Sequence, residues 1–184
     1  KGVHNDTMLS VWNEQLAETG EQIAERRRGF LEKLGAAATA MQKEISGEEL
    51  EIVYQPSIEA ENYLEKLEKN QQREIEFGAA LAGIQRDDIK IRVAGKDSRL
   101  YASQGQQRTA VLSLKLAQTE YINEEKGEYP VILLDDIMSE LDINRRRYLA
   151  GKIKGRQVLI TTTDAEENNG DTRYYKIQNG RVVN

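Results

Sequence analysis

Four consecutive large apolar residues, Val131-Ile132-Leu133-Leu134, run directly into two carboxylates, Asp135 and Asp136. An apolar run of this kind, without polar alternation, suits a strand covered on both faces, as in a parallel sheet. Ligands gather at the carboxyl ends of such strands, which is where the two acids stand. Adjacent carboxylates there suit Mg²⁺, which takes oxygen ligands and often bridges to phosphate; one can hold the metal while the other orients or deprotonates a water. Two acids behind an apolar strand also occur as a plain solvated turn, so what precedes them decides.

Upstream stands Ala102-Ser103-Gln104-Gly105-Gln106-Gln107-Arg108. From Gln106 to about Tyr121 there is no Gly or Pro, and Ala110, Leu114, Ala117 and Tyr121 recur at helical spacing, which predicts a helix with one buried face. Ser103 and Gly105 fall at its N-terminus. A hydroxyl, backbone N–H groups and the positive end of the helix macrodipole make that a place for an anion, and Gly lets backbone approach it closely. Ser-x-Gly before a helix is by itself usually only a cap. The order of loop, helix, buried strand and acidic loop is what makes the combination specific.

That combination resembles the ABC-type ATPases. Ser103-Gln104-Gly105-Gln106 is similar to their signature motif, VILLDD to their Walker B strand, and Ser139-Glu140-Leu141-Asp142 to the D-loop. Within that superfamily, SQGQQRT, LSLKLAQ and PVILLDDIMSELD resemble the RecF family, as do Arg86-Asp87-Asp88 and VWNEQLAE near the start. The sequence departs from the family pattern at Ile84-Gln85, where Pro-His is expected. It contains no GxxxxGK[ST], so nothing in it cradles the α- and β-phosphates. With a start at Lys1-Gly2-Val3 and no initiator Met, the expectation is the C-terminal half of a RecF-like protein.

Composition narrows the alternatives. The content of 39% hydrophobic residues is enough for a core, while 31% charged residues and no apolar run approaching 18 residues exclude a membrane span. No secretory signal pattern occurs. The chain has no cysteine, which removes disulfides and thiolate metal sites. His4 is its one histidine, which argues against a His-based triad or zinc site. A net charge of −5 gives no overall pull toward DNA; any DNA binding comes from a local patch or from the absent half.

The first stretch, Asn5 to Ile45, reads as helix, with Asn5, Asp6 and Thr7 as N-caps. Leu9, Trp12, Leu16, Ile23, Phe30, Leu34, Met41 and Ile45 form its apolar stripe. Gly20, Gly29 and Gly35 are places where it bends or splits. Arg26-Arg27-Arg28 reads as a solvated face. A short strand, Glu48 to Tyr54, ends at Gln55-Pro56. A second helical run from Ile58 to about Ala82 is the candidate partner for the first. Ile89-Lys90-Ile91-Arg92-Val93 alternates as a strand with one wet face and turns at Gly95-Lys96-Asp97. The two short strands are expected to be antiparallel neighbours. The resemblance divides the chain into a helical, lid-like subdomain (1–47 and 57–83) and an ATPase lobe (48–56 and 84–184).

Beyond the D-loop, Asp142 is a cap for a helix over Ile143 to Ile153 that carries Arg145-Arg146-Arg147. Gln157 to Thr161 follows as a strand, completing a βαβ unit expected to be parallel. Its end, Thr161-Thr162-Thr163-Asp164, comes beside the acidic pair. Residues 166–171 are a loop, and Arg173 to Val183 form a hairpin around Asn179-Gly180 that finishes the sheet. The fold class is α/β: a partly parallel sheet with flanking helices and a terminal hairpin, plus a helical subdomain.

The resemblance implies a mechanism. Ser103, Gln104, Gly105 and Gln106 contact the γ-phosphate of ATP bound by the other protomer of an ATP-dependent homodimer. Asp135 holds Mg²⁺, Asp136 positions or activates water, and Ser139, Glu140, Leu141 and Asp142 couple the two sites. Thr163, with Thr162 second, senses the γ-phosphate; a threonine is a poor proton acceptor, so hydrolysis is slow. The implied role is DNA repair, replication and recombination in the bacterial cytoplasm, within the SOS response. It acts on double-stranded or gapped DNA with RecO and RecR partners. Two rivals remain: another SMC- or Rad50-like DNA ATPase, and a non-catalytic docking or dimerisation lobe inert toward ATP alone. A metal-dependent nuclease comes third, since no second acidic cluster accompanies Asp135 and Asp136.

Overall fold

The computed structural model describes residues 6–163 and 172–183. Contacts divide the chain into two units, meeting at Pro130 and Val131.

The first unit is built on α1 (Asp6–Ser46), one helix of 41 residues, about 60 Å long at 1.5 Å per residue. None of its glycines splits it. Antiparallel strands β1 (Leu50–Gln55) and β2 (Asp88–Val93) pair Leu50 with Val93, Ile52 with Ile91 and Tyr54 with Ile89. The two-residue β3 (Lys96–Asp97) adds to β2. The second helical run is shorter than expected: a 3-10 turn leads into α2 (Tyr63–Phe77), which stops where Gly78 takes a left-handed cap. The glycine supplies the positive φ that ends the helix. After the single turn α3 (Ser98–Tyr101) comes α4 (Gln104–Lys126), longer than periodicity alone predicts.

Helix α1 serves two partners. Its first half packs on α2, where Ala17, Ile58, Tyr63, Leu67 and Ala82 form a core and Asn13 Nδ2 donates to Gln71 Oε1 (2.8 Å). Its second half packs on α4 and β1. There Phe30 meets Tyr121 edge-to-face at 4.9 Å, and buried Ser113 donates to buried Gln42 (3.0 Å). The expected stripe holds at Leu34 and Met41, which are buried, and is corrected at Trp12 and Leu16, which are exposed; Ala17, Ala24, Leu31 and Ala38 are buried beside them. Alanines carry little hydrophobic signal in a sequence, yet they let helices approach closely, and α4 answers with Ala110, Ser113 and Ala117.

The second unit holds β4 (Ile132–Asp135), the single turn α5 (Ile137–Glu140), α6 (Ile143–Ile153) and β5 (Val158–Thr161). β4 and β5 are parallel, with Leu134 opposite Ile160 and Asp135 opposite Thr161. Its buried apolar residues are Ile132 of β4, Met138 of α5, Leu141 just after α5 and Leu149 of α6. Among the described residues one face of this pair stays open: Leu133 is 72% exposed, and Val131 and Leu159 are exposed with it. Among the described residues of this unit, α5 and α6 cover the other face. The terminal hairpin forms from β6 (Lys176–Gln178) and β7 (Arg181–Val183) around Asn179 and Gly180, both at positive φ. Among the described residues it is a ladder of its own and does not extend β4–β5.

Candidate functional site

In the first unit the signature-like residues form the opening turn of α4. Ser103 stands just outside the helix (φ −63, ψ 160) and its hydroxyl accepts from Gln106 N–H (3.2 Å). Gln106 Oε1 accepts in return from Ser103 N–H (2.8 Å). This reciprocal capping box satisfies two backbone donors that a bare helix end would leave unpaired. Gln106 Nε2 donates further to Glu48, and Gln107 Nε2 to the carbonyl of Ser98 (2.9 Å). The turn is thus tied both to the segment before β1 and to α3. Ser103 and Gln104 face solvent, and Gly105 is half-buried. Ser103 accepts within the box, so its O–H proton can donate outward, beside the positive end of a helix of 23 residues.

Arg86-Asp87-Asp88 proves to be a fastening. The Asp87 carboxylate, nearly buried, receives Arg27 Nη1 (2.8 Å), the hydroxyl of Tyr54 and the backbone N–H of Ser57 (2.9 Å). Burial pushes the Tyr54 phenol up, and its bond to Asp87 adds to the shift. Arg86 holds the carbonyl of Ala80, and Asp88 forms a two-pronged pair with Arg99 (3.0 and 3.0 Å). At the departing position, Ile84 accepts from Arg27 through its carbonyl (2.6 Å) and donates to Tyr63 Oη (2.8 Å). Of the arginine triplet, Arg26 and Arg28 are exposed and Arg27 is drawn into this network.

The second unit carries the acids. Asp135 ends β4, and the residue opposite it, Thr161, donates its hydroxyl to Asp135 Oδ1. The same Thr161 Oγ1 accepts from Asp136 N–H (3.0 Å), which also reaches the Thr161 carbonyl (3.1 Å). Asp136 adopts the left-handed conformation, φ 48 and ψ 20. Such a conformation costs a non-glycine residue about 1 kcal/mol, though Asp tolerates it better than most. Ser139 Oγ donates to the Asp136 carbonyl (2.8 Å), and Leu141 is buried. Asp142 caps α6, accepting from Asn144 and Arg145 N–H (3.0 Å each), and pairs with the Arg145 side chain. The backbone N–H of Arg145 first, then the arginine charge, hold the Asp142 carboxyl below the usual aspartate range. The side chain of Glu140 and the loop over 166–171 lie outside the described residues, as do the N-cap side chains of Asn5, Asp6 and Thr7.

Thr163 is exposed two residues beyond the end of β5, and Thr162 between them is exposed as well. The threonine bonded to Asp135 is Thr161, which sequence reading did not single out. Parallel register was the signal that could have found it, because pairing the two strands by length sets Asp135 against Thr161. Among the described residues no group of three or more His, Cys, Asp or Glu could hold a metal by itself. The donor set fits Mg²⁺ nonetheless. That ion is usually held by one or two carboxylates, with phosphate and water completing its shell, and Asp135 has a second oxygen that no described residue engages.

No family model matches the chain. The DNA replication and repair protein RecF of Caldanaerobacter subterraneus subsp. tengcongensis is 41% identical over 188 residues, spanning 97% of this chain and 51% of that protein. RecF of Alkaliphilus oremlandii is 42% identical over 170 residues, 86% of this chain and 47% of its own length. Among solved structures, the recombination mediator protein RecF-ATP of the RecFOR pathway superposes with a TM-score of 0.84 at 38% identity, covering 100% of this chain and 51% of that one. RecF-ATPrS of the same pathway gives 0.81 at 38%, covering 98% and 51%. The chain thus spans about half the length of the curated relatives it matches.

Proposed function

The chain matches the C-terminal half of the RecF family along nearly its whole length, and on that premise we propose that it supplies the closing half of an ATP-dependent dimer acting on DNA. The P-loop half of one protomer holds ATP. Ser103, Gln104, Gly105 and Gln106 of the other close over its γ-phosphate. Asp135 holds Mg²⁺, which neutralises phosphate charge, and Asp136 positions the water. Ser139 to Asp142 pack across the dimer and couple its two sites, while Thr163 stands toward the γ-phosphate. ATP acts mainly as glue for a dimer that grips double-stranded or gapped DNA, and slow hydrolysis releases it. In the bacterial cytoplasm this serves recombinational repair and replication with RecO- and RecR-type partners. Residues 1–47 and 57–83 serve as a lid-like arm beside the ATPase lobe of 48–56 and 84–184.

The observation that carries the reading is the Thr161 bridge. A hydroxyl that fixes one oxygen of Asp135 and the backbone N–H of Asp136 at once holds the Asp135 carboxylate and the Asp136 main chain in place at the end of a parallel strand pair. A solvated turn needs no such bridge. By itself the chain, having no GxxxxGK[ST], is inert toward ATP.

Mixing this chain with a protein that contains the P-loop half, with and without ATP and Mg²⁺, tests the proposal by light scattering. ATP-dependent association that disappears in both Ser103→Arg and Asp135→Ala supports it. Association indifferent to ATP and to both substitutions replaces it with a simple docking lobe.

A further inference from the structure

An acid stands behind the turn assigned to the γ-phosphate. Glu48 lies just past the end of α1, half-buried, and its Oε1 accepts from Gln106 Nε2. A carboxylate near an anion site raises the energy of the bound anion, so charge alone gives no reason to place one here. Its partner supplies the reason. Gln106 Oε1 accepts from Ser103 N–H (2.8 Å), while its Nε2 faces the Glu48 carboxylate, which can only accept. Turning the amide over would set oxygen against carboxylate and NH₂ against N–H. Glu48 therefore fixes which end of the Gln106 amide meets Ser103, and with it the capping box.

Glu48 is itself anchored. Its N–H donates to Ser46 Oγ (3.4 Å), which also accepts from Gln42 Nε2 (3.2 Å) and donates to the Gln42 carbonyl (3.1 Å). Gln42 Oε1 accepts from Ser113 Oγ (3.0 Å), and both residues are fully buried. The bonds close a circuit: Ser113 and Gln106, about two turns apart on α4, are both tied to the last turn of α1 and the residues just after it. An apolar pair would pack as well between the helices, whereas a satisfied polar network selects one arrangement. We propose that Glu48 is a positioning residue for the signature turn, holding Gln106 so that Ser103 and Gln104 present their donors in the geometry closure requires. The Gln42–Ser46 link keeps Glu48 in register with α4. This inference rests on the ATP-dependent closure proposed above and adds to it a residue from outside the motif.

Two variants separate position from charge. Glu48→Ala removes the acceptor, and Glu48→Gln keeps an acceptor oxygen while removing the charge. Amide hydrogen exchange over residues 103–106 reads the turn directly. The ATP concentration at half-maximal association with a protein bearing the P-loop half, in Mg²⁺, reads closure. Glu48→Ala is expected to speed exchange at Ser103 and Gln106 and to raise the ATP midpoint, each at least fivefold, because fewer molecules hold the competent turn. Glu48→Gln is expected to stay within about twofold of wild type in both. A bare charge effect runs the other way, since losing the carboxylate would lower the ATP midpoint in both variants alike, and that outcome overturns the proposal. So do equal losses in the two variants, unchanged exchange in Glu48→Ala, or faster exchange with an unchanged ATP midpoint, which leaves Glu48 a structural brace only. Wild-type association indifferent to ATP overturns the closure reading itself, and this inference with it.

Discussion

Gly20 and Gly29 lie on the same helix, yet a methyl group acts on them in opposite directions. At Gly20 an added Cβ falls 2.5 Å from Tyr63 Cζ, inside contact distance of a buried ring whose hydroxyl is bonded to Ile84. At Gly29 it meets nothing within 4 Å. Removing glycine from a helix interior gains about 1 kcal/mol, whereas overpacking costs about 1–3 kcal/mol and the displaced hydrogen bond about 1 more. Urea unfolding should therefore show Gly20→Ala destabilised by about 1–3 kcal/mol and Gly29→Ala stabilised by up to about 1 kcal/mol. Asp87→Ala should cost about 2 kcal/mol, because it leaves Arg27, Tyr54 and the Ser57 N–H without their shared acceptor. Ser103 as an N-cap was readable from its residue type and place. The helical glycines were not: a sequence shows that a glycine is present without showing what lies across from it.

At the scale of elements, α6 depends on its cap. The folded Asp142 carboxyl is held below the unfolded value of about 3.9. Its contribution is therefore complete above that value and is lost as pH falls through the depressed folded one. The unfolding midpoint should decline across that acidic window, and Asp142→Asn should flatten the decline while leaving an amide oxygen to cap. Flat midpoints in both proteins would contradict the assignment. The strands and hairpin were legible because alternation and Asn-Gly leave strong local marks. The buried face of α1 was read at Leu34 and Met41 but missed toward its start, because apolar size, not packing, drove the reading. Trp12 and Leu16 look like core, while Ala24 and Ala38 form it.

Across the whole molecule, the signature turn lies in one unit and the acids in the other. Motif order made both legible, since loop, helix, strand and acidic loop succeed one another along the chain. Longer-range partners were not: the packing of α1 on α4 and the Thr161 bond to Asp135 join residues far apart in sequence. The absence of cysteine allows a direct test of closure at the signature turn. Gln104→Cys, exposed at the start of α4, and a control at exposed Lys66→Cys are each mixed with a protein bearing the P-loop half, and maleimide labelling rates are measured with and without ATP and Mg²⁺. The account predicts labelling at position 104 slowed at least tenfold by ATP while the control is unchanged. Equal rates at position 104 in both conditions would contradict it.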